Sequence, residues 1–98
     1  MKKNPIIHLY AQYQWHDDAH ILANREGLLA LQRAIAEALE NGRSTAEAFV
    51  CDGEGFDIRV VMKNDDLSEW REVAVPYISD IASEKNAKAL WPWDLWRK

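Results

Sequence analysis

Hydrophobic and polar residues alternate with a period of two near the start of the chain. The alternation covers residues 6–15 and, more briefly, residues 19–23, and the segment between them is His16-Asp17-Asp18. A period of two is typical of a β-strand with one buried face. Aspartate side chains readily bond to nearby backbone groups in turns. The pattern therefore predicts two strands joined as a hairpin.

A second alternating region predicts a second hairpin, from residues 45–51 and 56–63. In its later strand Phe56, Ile58 and Val60 fall on one face, and charged residues fall on the other. The connection Asp52-Gly53-Glu54-Gly55 contains two glycines, which tolerate the positive φ angles of tight turns.

Between the two hairpins the hydrophobic period changes to that of a helix, from about Arg25 to Glu40. Asn24 is a good N-cap, because its side chain can accept from a backbone N–H of the first turn. Glu26 places a negative charge at the positive end of the helix dipole. Gly42 suits the left-handed conformation that ends many helices. The residues predicted to form the buried face are Leu28, Leu31, Ile35 and Ala38.

This order of elements predicts an α+β fold, β-β-α-β-β, with one four-stranded, mostly antiparallel sheet and the long helix on one face. The 98 residues predict a single domain, with a core at about 5–64 and a Trp-rich C-terminal extension at about 65–98. A short helix is predicted at 78–90. One helix leaves a sheet face uncovered, so the C-terminal tryptophans are predicted either to cover it or to contact a partner: Trp91, Trp93 and Trp96.

Charge is distributed unevenly along the chain. The segment from Asp52 to Glu72 has seven acidic and three basic residues and thus accounts for the whole net charge of −4. An acidic surface repels nucleic acid phosphates and attracts basic partners. We therefore expect a protein partner and no nucleic acid.

Other features of the sequence narrow the location and the chemistry. The single cysteine, Cys51, indicates no disulfide framework, and the N-terminus lacks the apolar run of a signal peptide. No stretch approaches the ~20 apolar residues of a membrane span. We expect a cytoplasmic protein without membrane contact. Nucleophile, zinc-protease and phosphate-loop motifs are absent from the sequence, so it predicts no enzyme, no catalytic residues and no cofactor.

Two alternatives come from other residues. His16 and His20 are four residues apart, but they lie in a predicted turn and strand, so no metal site is predicted there. A small-molecule or metal binder stays open as an alternative, with its polar groups near the first hairpin: His8, Tyr10, His16 and His20. A homo-oligomeric structural protein is another, pairing through a sheet edge or the Trp tail.

One motif carries a resemblance to a known family. Asn24-Arg25-Glu26-Gly27-Leu28, followed by Leu31 and an alanine-rich helix, resembles the helix start of a family of bacterial polymorphic-toxin immunity proteins. In that family the motif follows an N-terminal hairpin, and strands come after the helix. The resemblance covers about residues 19–62. Two features depart from the family: residues 46–51 lack its His-x-His-Leu element, and the tail is rich in Trp.

The resemblance implies a binding function, the inhibition of a cognate toxin in the producing cell, and no catalytic residues. Taken with the charge distribution, it predicts an acidic protein-binding module whose partner is a basic toxin domain, with a homodimer as a further alternative. Trp70 is the predicted aromatic anchor, since Trp is enriched at interface hot spots. The residues predicted to supply the electrostatics are Asp52, Glu54, Asp65, Asp66 and Glu69.

Overall fold

Four strands and three helices make up the described part of the chain, residues 4–79 and 89–97 of a computed structural model. They are β1 (Ile7–Tyr10), β2 (His20–Ala23), α1 (Arg25–Asn41), β3 (Arg43–Phe49), β4 (Gly55–Val61), α2 (Leu67–Trp70) and α3 (Pro92–Arg97). The chain divides into two compact units, Met1–Leu9 with Ile21–Lys63, and Tyr10–His20 with Asn64–Lys98. The helix predicted at 78–90 falls mostly on residues 80–88, outside the described ones.

The α+β class is confirmed, but the single four-stranded sheet is wrong. The strands form two antiparallel pairs, β1 with β2 and β3 with β4. Only one parallel bridge, Ile6 to Phe49, joins the pairs in the described chain. Beyond it the backbone N–H of Cys51 donates to the side-chain Nε2 of His8, at 3.0 Å, rather than to a strand carbonyl. A β-ladder needs consecutive hydrogen bonds between two backbones, so no ladder between the two strand pairs continues past the bridge from Ile6 to Phe49.

Both ends of α1 lie where the sequence predicts them, because both are set by local hydrogen bonds. Asn24 has an extended backbone, and its side chain accepts from the N–H of Gly27. At the other end Gly42 has φ of 92°, and its N–H donates to the carbonyl of Ala38 at 2.8 Å. These are the expected N-cap and left-handed C-cap.

Substitution of Gly42 by alanine tests the C-cap. A Cβ at this position meets no atom within 4 Å, so the cost is that of the positive φ alone. We expect Gly42→Ala to lower the free energy of unfolding by about 1 kcal/mol, measured by urea denaturation. An Asn at position 42 tolerates this conformation better and should recover part of the loss. An unchanged stability for Gly42→Ala would contradict the C-cap assignment.

The predicted buried face of α1 is wrong in part. Leu28 and Ile35 keep 52% and 47% of their surface exposed. Leu31 is half-buried, Ala38 is buried as predicted, and the rest of the buried face consists of small residues: Gly27, Ala30 and Ala34. Small side chains let the helix backbone approach the sheet closely.

The close approach of α1 is visible in one contact. The buried hydroxyl of Ser44 on β3 donates a hydrogen bond to the backbone carbonyl of Ala34. A leucine at position 34 would hold the two backbones apart and leave this hydroxyl without its buried partner. The core beneath the helix is correspondingly small, consisting of Ile7, Ala34, Ala46, Ala48 and Ile58.

The second hairpin is confirmed, with β3 beginning two residues earlier than predicted. Ala46 lies opposite Ile58 on the buried face, and Thr45 lies opposite Arg59 on the exposed face. Gly53 has the positive φ that the turn needs, at 95°, whereas Gly55 already belongs to β4. Cys51 lies in the turn and is exposed. In the described chain no helix is both long and apolar enough to cross a bilayer.

Candidate protein-binding surface

Asp52 and Glu54 lie in the turn between β3 and β4, in the first unit. The turn is closed by the N–H of Val50, which donates to the carbonyl of Glu54 at 2.9 Å. A carboxylate oxygen of Asp52 accepts from the N–H of Glu54 at 3.0 Å. Both acidic side chains are exposed. The turn therefore presents two carboxylates on a rigid backbone, and one of them also stabilises the turn.

Asp65 and Asp66 lie before α2, in the second unit. Asp66 is the N-cap, and its Oδ1 accepts from the backbone N–H of Ser68 at 3.0 Å and from the Ser68 hydroxyl at 2.6 Å. The side chain of Asn64 accepts from the N–H of Asp66 at 3.0 Å. Asp65 is exposed. This network orders the acidic segment although none of its residues is buried.

Glu69 and Trp70 follow within α2. Glu69 lies in its first turn, where a negative charge is favoured by the helix dipole. The indole N–H of Trp70 donates to the carbonyl of Asn64 at 2.6 Å, which fixes the ring against the start of the segment. Nevertheless, 46% of the Trp70 surface is exposed. A ring with its polar atom satisfied and much of its apolar surface open is suited to contact a partner.

The six predicted site residues thus form two groups in different units. We call Asp52 with Glu54 the turn pair, and Asp65, Asp66, Glu69 and Trp70 the α2 cluster. The α2 cluster is ordered by hydrogen bonds among neighbours in sequence. The turn pair is ordered by the hairpin. The sequence predicted that these residues would be exposed, and it missed the hydrogen bonds that hold them.

A group of hydrogen bonds around Asn24, at the start of α1, was not fully predicted from the sequence. The Asn24 side chain accepts from the N–H of Gly27 at 2.7 Å and from the N–H of Ile6 at 3.0 Å, and it donates to the carbonyl of Asn4 at 3.0 Å. Its backbone N–H donates to the carbonyl of Ile6 at 3.1 Å. We call these contacts the Asn24 clamp. The N-cap motif predicted the first contact, but only the fold brings residues 4–6 to this position.

The structure gives contacts for two residues of the metal or small-molecule alternative, His8 and His16. His8 accepts from the Cys51 N–H, and His16 lies against Trp15 with ring centroids 4.1 Å apart. Across residues 4–79 and 89–97 no three His, Cys, Asp or Glu side chains are placed to hold a metal ion. An open depression of about 350 Å³ in the first unit is lined by other residues: Ile7, Leu9, Val50, Glu54, Gly55 and Phe56.

The tryptophans of the tail pack within the second unit. Trp91 and Trp93 stack with centroids 5.0 Å apart and planes 8° from parallel. Asp94 accepts from the backbone N–H of Trp91 at 3.1 Å and so caps α3. Leu90 forms a parallel bridge with Val73, which attaches the tail to the chain after α2. That the tail covers a sheet face or contacts a partner stays a prediction.

Comparisons with the models of known protein families, with curated proteins and with solved structures return no match.

Proposed function

We propose that this protein is a protein-binding module, and that it acts as an immunity-type inhibitor of a toxin. The observation that carries the proposal is the α2 cluster, in which three exposed carboxylates precede, within five residues, a tryptophan that is held by a hydrogen bond and yet is half open to solvent. The resemblance of Asn24 to Leu28 to the immunity family supports the choice of a toxin as the partner.

The α2 cluster favours binding for two physical reasons. The side chains of Asp66 and Trp70 are held by hydrogen bonds before any partner arrives, so binding loses less conformational entropy than it would with a mobile loop. The charges of the cluster act over several ångströms and attract a basic surface, which raises the association rate by ~10-fold to 1,000-fold. Trp70 then supplies the short-range contact that slows dissociation.

A toxin with a basic substrate cleft suits this chemistry. In a nuclease, the cleft presents Lys and Arg side chains to phosphates. Carboxylates of the α2 cluster would occupy the positions of those phosphates and exclude the substrate, and the charges of the turn pair add to the attraction for a basic partner. The inhibitor in this proposal works by occupation of the cleft, so it needs no catalytic residue of its own.

A first experiment identifies the partner with the whole chain as bait. The tagged protein is incubated with native lysate, bound proteins are released by a salt step, and they are identified by mass spectrometry. We expect a basic protein, released at moderate salt, whose toxic activity is inhibited by the purified chain. Recovery of the bait alone, or of partners that resist salt and show no toxicity, would contradict the proposal.

The charge contribution is tested with a triple variant whose fold is verified by circular dichroism, since Glu69 has an interaction within its own chain. Glu54→Gln, Asp65→Asn and Glu69→Gln remove three charges but leave Asp52 and Asp66, which accept structural hydrogen bonds. We expect this triple variant to associate with the partner at least about tenfold more slowly and with a weaker salt dependence, measured by stopped-flow fluorescence.

A matched triple variant controls for net charge. Glu37→Gln, Glu40→Gln and Glu47→Gln also remove three exposed carboxylates, but on α1 and β3. Because the net charge is the same in both variants, a difference in association rate reports the location of the charge. Equal rates for the two variants would show that only the overall charge matters, and the α2 cluster and the turn pair would lose their role.

A further inference from the structure

The outer edge of β4 is a regular strand edge of seven residues in the first unit. β4 runs for seven residues without a proline, and its register with β3 is uninterrupted. Within the described residues β3 is its only strand partner. A strand edge of this length is a template for pairing with another strand unless a charge, bulge or proline blocks it.

The hydrogen bonds of the hairpin decide which residues of β4 direct their backbone outward. The N–H of Val50 donates to Glu54 and the N–H of Met62 donates to Gly42, each at 2.9 Å. These bonds lie at the two ends of the ladder and both involve even-numbered residues. Because antiparallel ladders alternate, the odd-numbered residues direct their backbone N–H and C=O groups to the outer edge: Gly55, Asp57, Arg59 and Val61.

We propose that β4 pairs with β4 of a second copy of this chain, antiparallel, with the two-fold axis at Ile58. In this register Asp57 lies opposite Arg59 of the second copy, and Gly55 lies opposite Val61. All of these residues are odd-numbered, so the backbone groups that meet are those directed outward. The result is an isologous dimer with a continuous four-stranded sheet, β3-β4-β4-β3.

The charges of Asp57 and Arg59 favour this register over the two registers whose two-fold axis lies one residue away. An axis at residue 57 would place two aspartates directly opposite each other, and an axis at residue 59 would do the same with two arginines. Opposite charges in such pairs stabilise a sheet and like charges destabilise it. Arg59 already has an interaction within its own chain. The proposed pairing requires only that Arg59 carries a positive charge at this place in the strand.

The other face of β4 supports the same pairing. Phe56 and Val60 are only half-buried, because α1 lies mainly over β3 and covers β4 at its margin. In the proposed dimer Phe56 lies opposite Val60 of the second copy, on the same face as Ile58. An aromatic residue opposite a β-branched one is a favourable cross-strand pair. The second copy therefore covers apolar surface that the first leaves open.

Charge-reversal variants test both the dimer and its register by sedimentation equilibrium of the full chain, over micromolar to millimolar concentrations. We expect the native chain to dimerise, and Asp57→Arg and Arg59→Asp to raise the dissociation constant at least about tenfold each. When the two variants are mixed, every opposing pair again joins Arg to Asp, so a heterodimer should form with near-native affinity. The double variant, carrying both changes, should dimerise with itself.

Each alternative result overturns the proposal. A native chain that stays monomeric at millimolar concentration has no such interface. A dimer that neither single reversal weakens uses another surface. Single variants that are folded by circular dichroism but do not associate when mixed exclude the register, and a monomeric, folded double variant does the same. None of these changes touches the turn pair or the α2 cluster, so the result is independent of the proposed toxin inhibition.

Discussion

Gly27→Ala is expected to destabilise the protein by about 3 kcal/mol, although the same change within most helices is stabilising by about 1 kcal/mol. A Cβ at this position would come within 2.9 Å of Cγ1 of Ile7 and 3.1 Å of the Oδ1 of Asn24. It would also collide with the carbonyl oxygen of Ile6, a backbone atom that cannot rotate away. The glycine is required because β1 approaches the first turn of α1 so closely.

The loss would appear as a fall in Tm of about 10–20 °C for a chain of this size. Ala36→Gly is the matched control: it lies within the same helix at an exposed position, and it should cost about 1 kcal/mol through helix propensity alone. The two variants thus exchange the same two residue types in opposite directions. If Gly27→Ala is neutral or stabilising, then β1 does not approach the helix as described.

Asn24→Ala is expected to cost about 2 kcal/mol of stability, measured by urea denaturation. The change removes the helix N-cap, and it also leaves the N–H of Ile6 without its acceptor. Loss of an N-cap typically costs about 1 kcal/mol, and a partly buried donor left unsatisfied costs about 1 kcal/mol more. The Asn24 clamp therefore stabilises both the helix start and the position of β1.

Asn24→Asp separates the parts of the clamp. Aspartate retains the oxygen that accepts from Gly27 and Ile6, and its charge is favoured at a helix N-terminus. It lacks only the amide that donates to the carbonyl of Asn4. We expect a cost below about 1 kcal/mol. If Asp and Ala at this position destabilise equally, the accepted hydrogen bonds contribute little and the N-cap account is wrong.

These two predictions concern the motif that resembles the immunity family. Within the structure, Asn24 and Gly27 join β1 to α1. A motif of this kind can persist in a family because the fold requires it. The partner-binding proposal accordingly rests on the exposed acidic residues and Trp70, and the resemblance contributes only the class of partner.

The sequence predicted the elements whose determinants are local. The limits of α1 follow from Asn24 and Gly42, whose capping hydrogen bonds to Gly27 and Ala38 span no more than four residues. The second hairpin follows from its alternation and from Gly53, which takes the positive φ of the turn. The exposure of the acidic candidate residues could be predicted to the same extent, because acidic residues in a polar segment are exposed almost wherever the fold places them.

Tertiary structure alone decided which helix face is buried and how the strands pair. A periodic pattern treats leucine and alanine alike as apolar residues. It therefore does not decide whether Leu28 or Ala30 faces the sheet. In the structure α1 lies so close to β3 that Ser44 bonds to the carbonyl of Ala34. Small residues fit in this interface and are buried, whereas Leu28 is exposed. The ladder between the strand pairs does not continue where the Cys51 N–H bonds to His8, 43 residues away, and no local pattern records a contact between residues so distant in the chain.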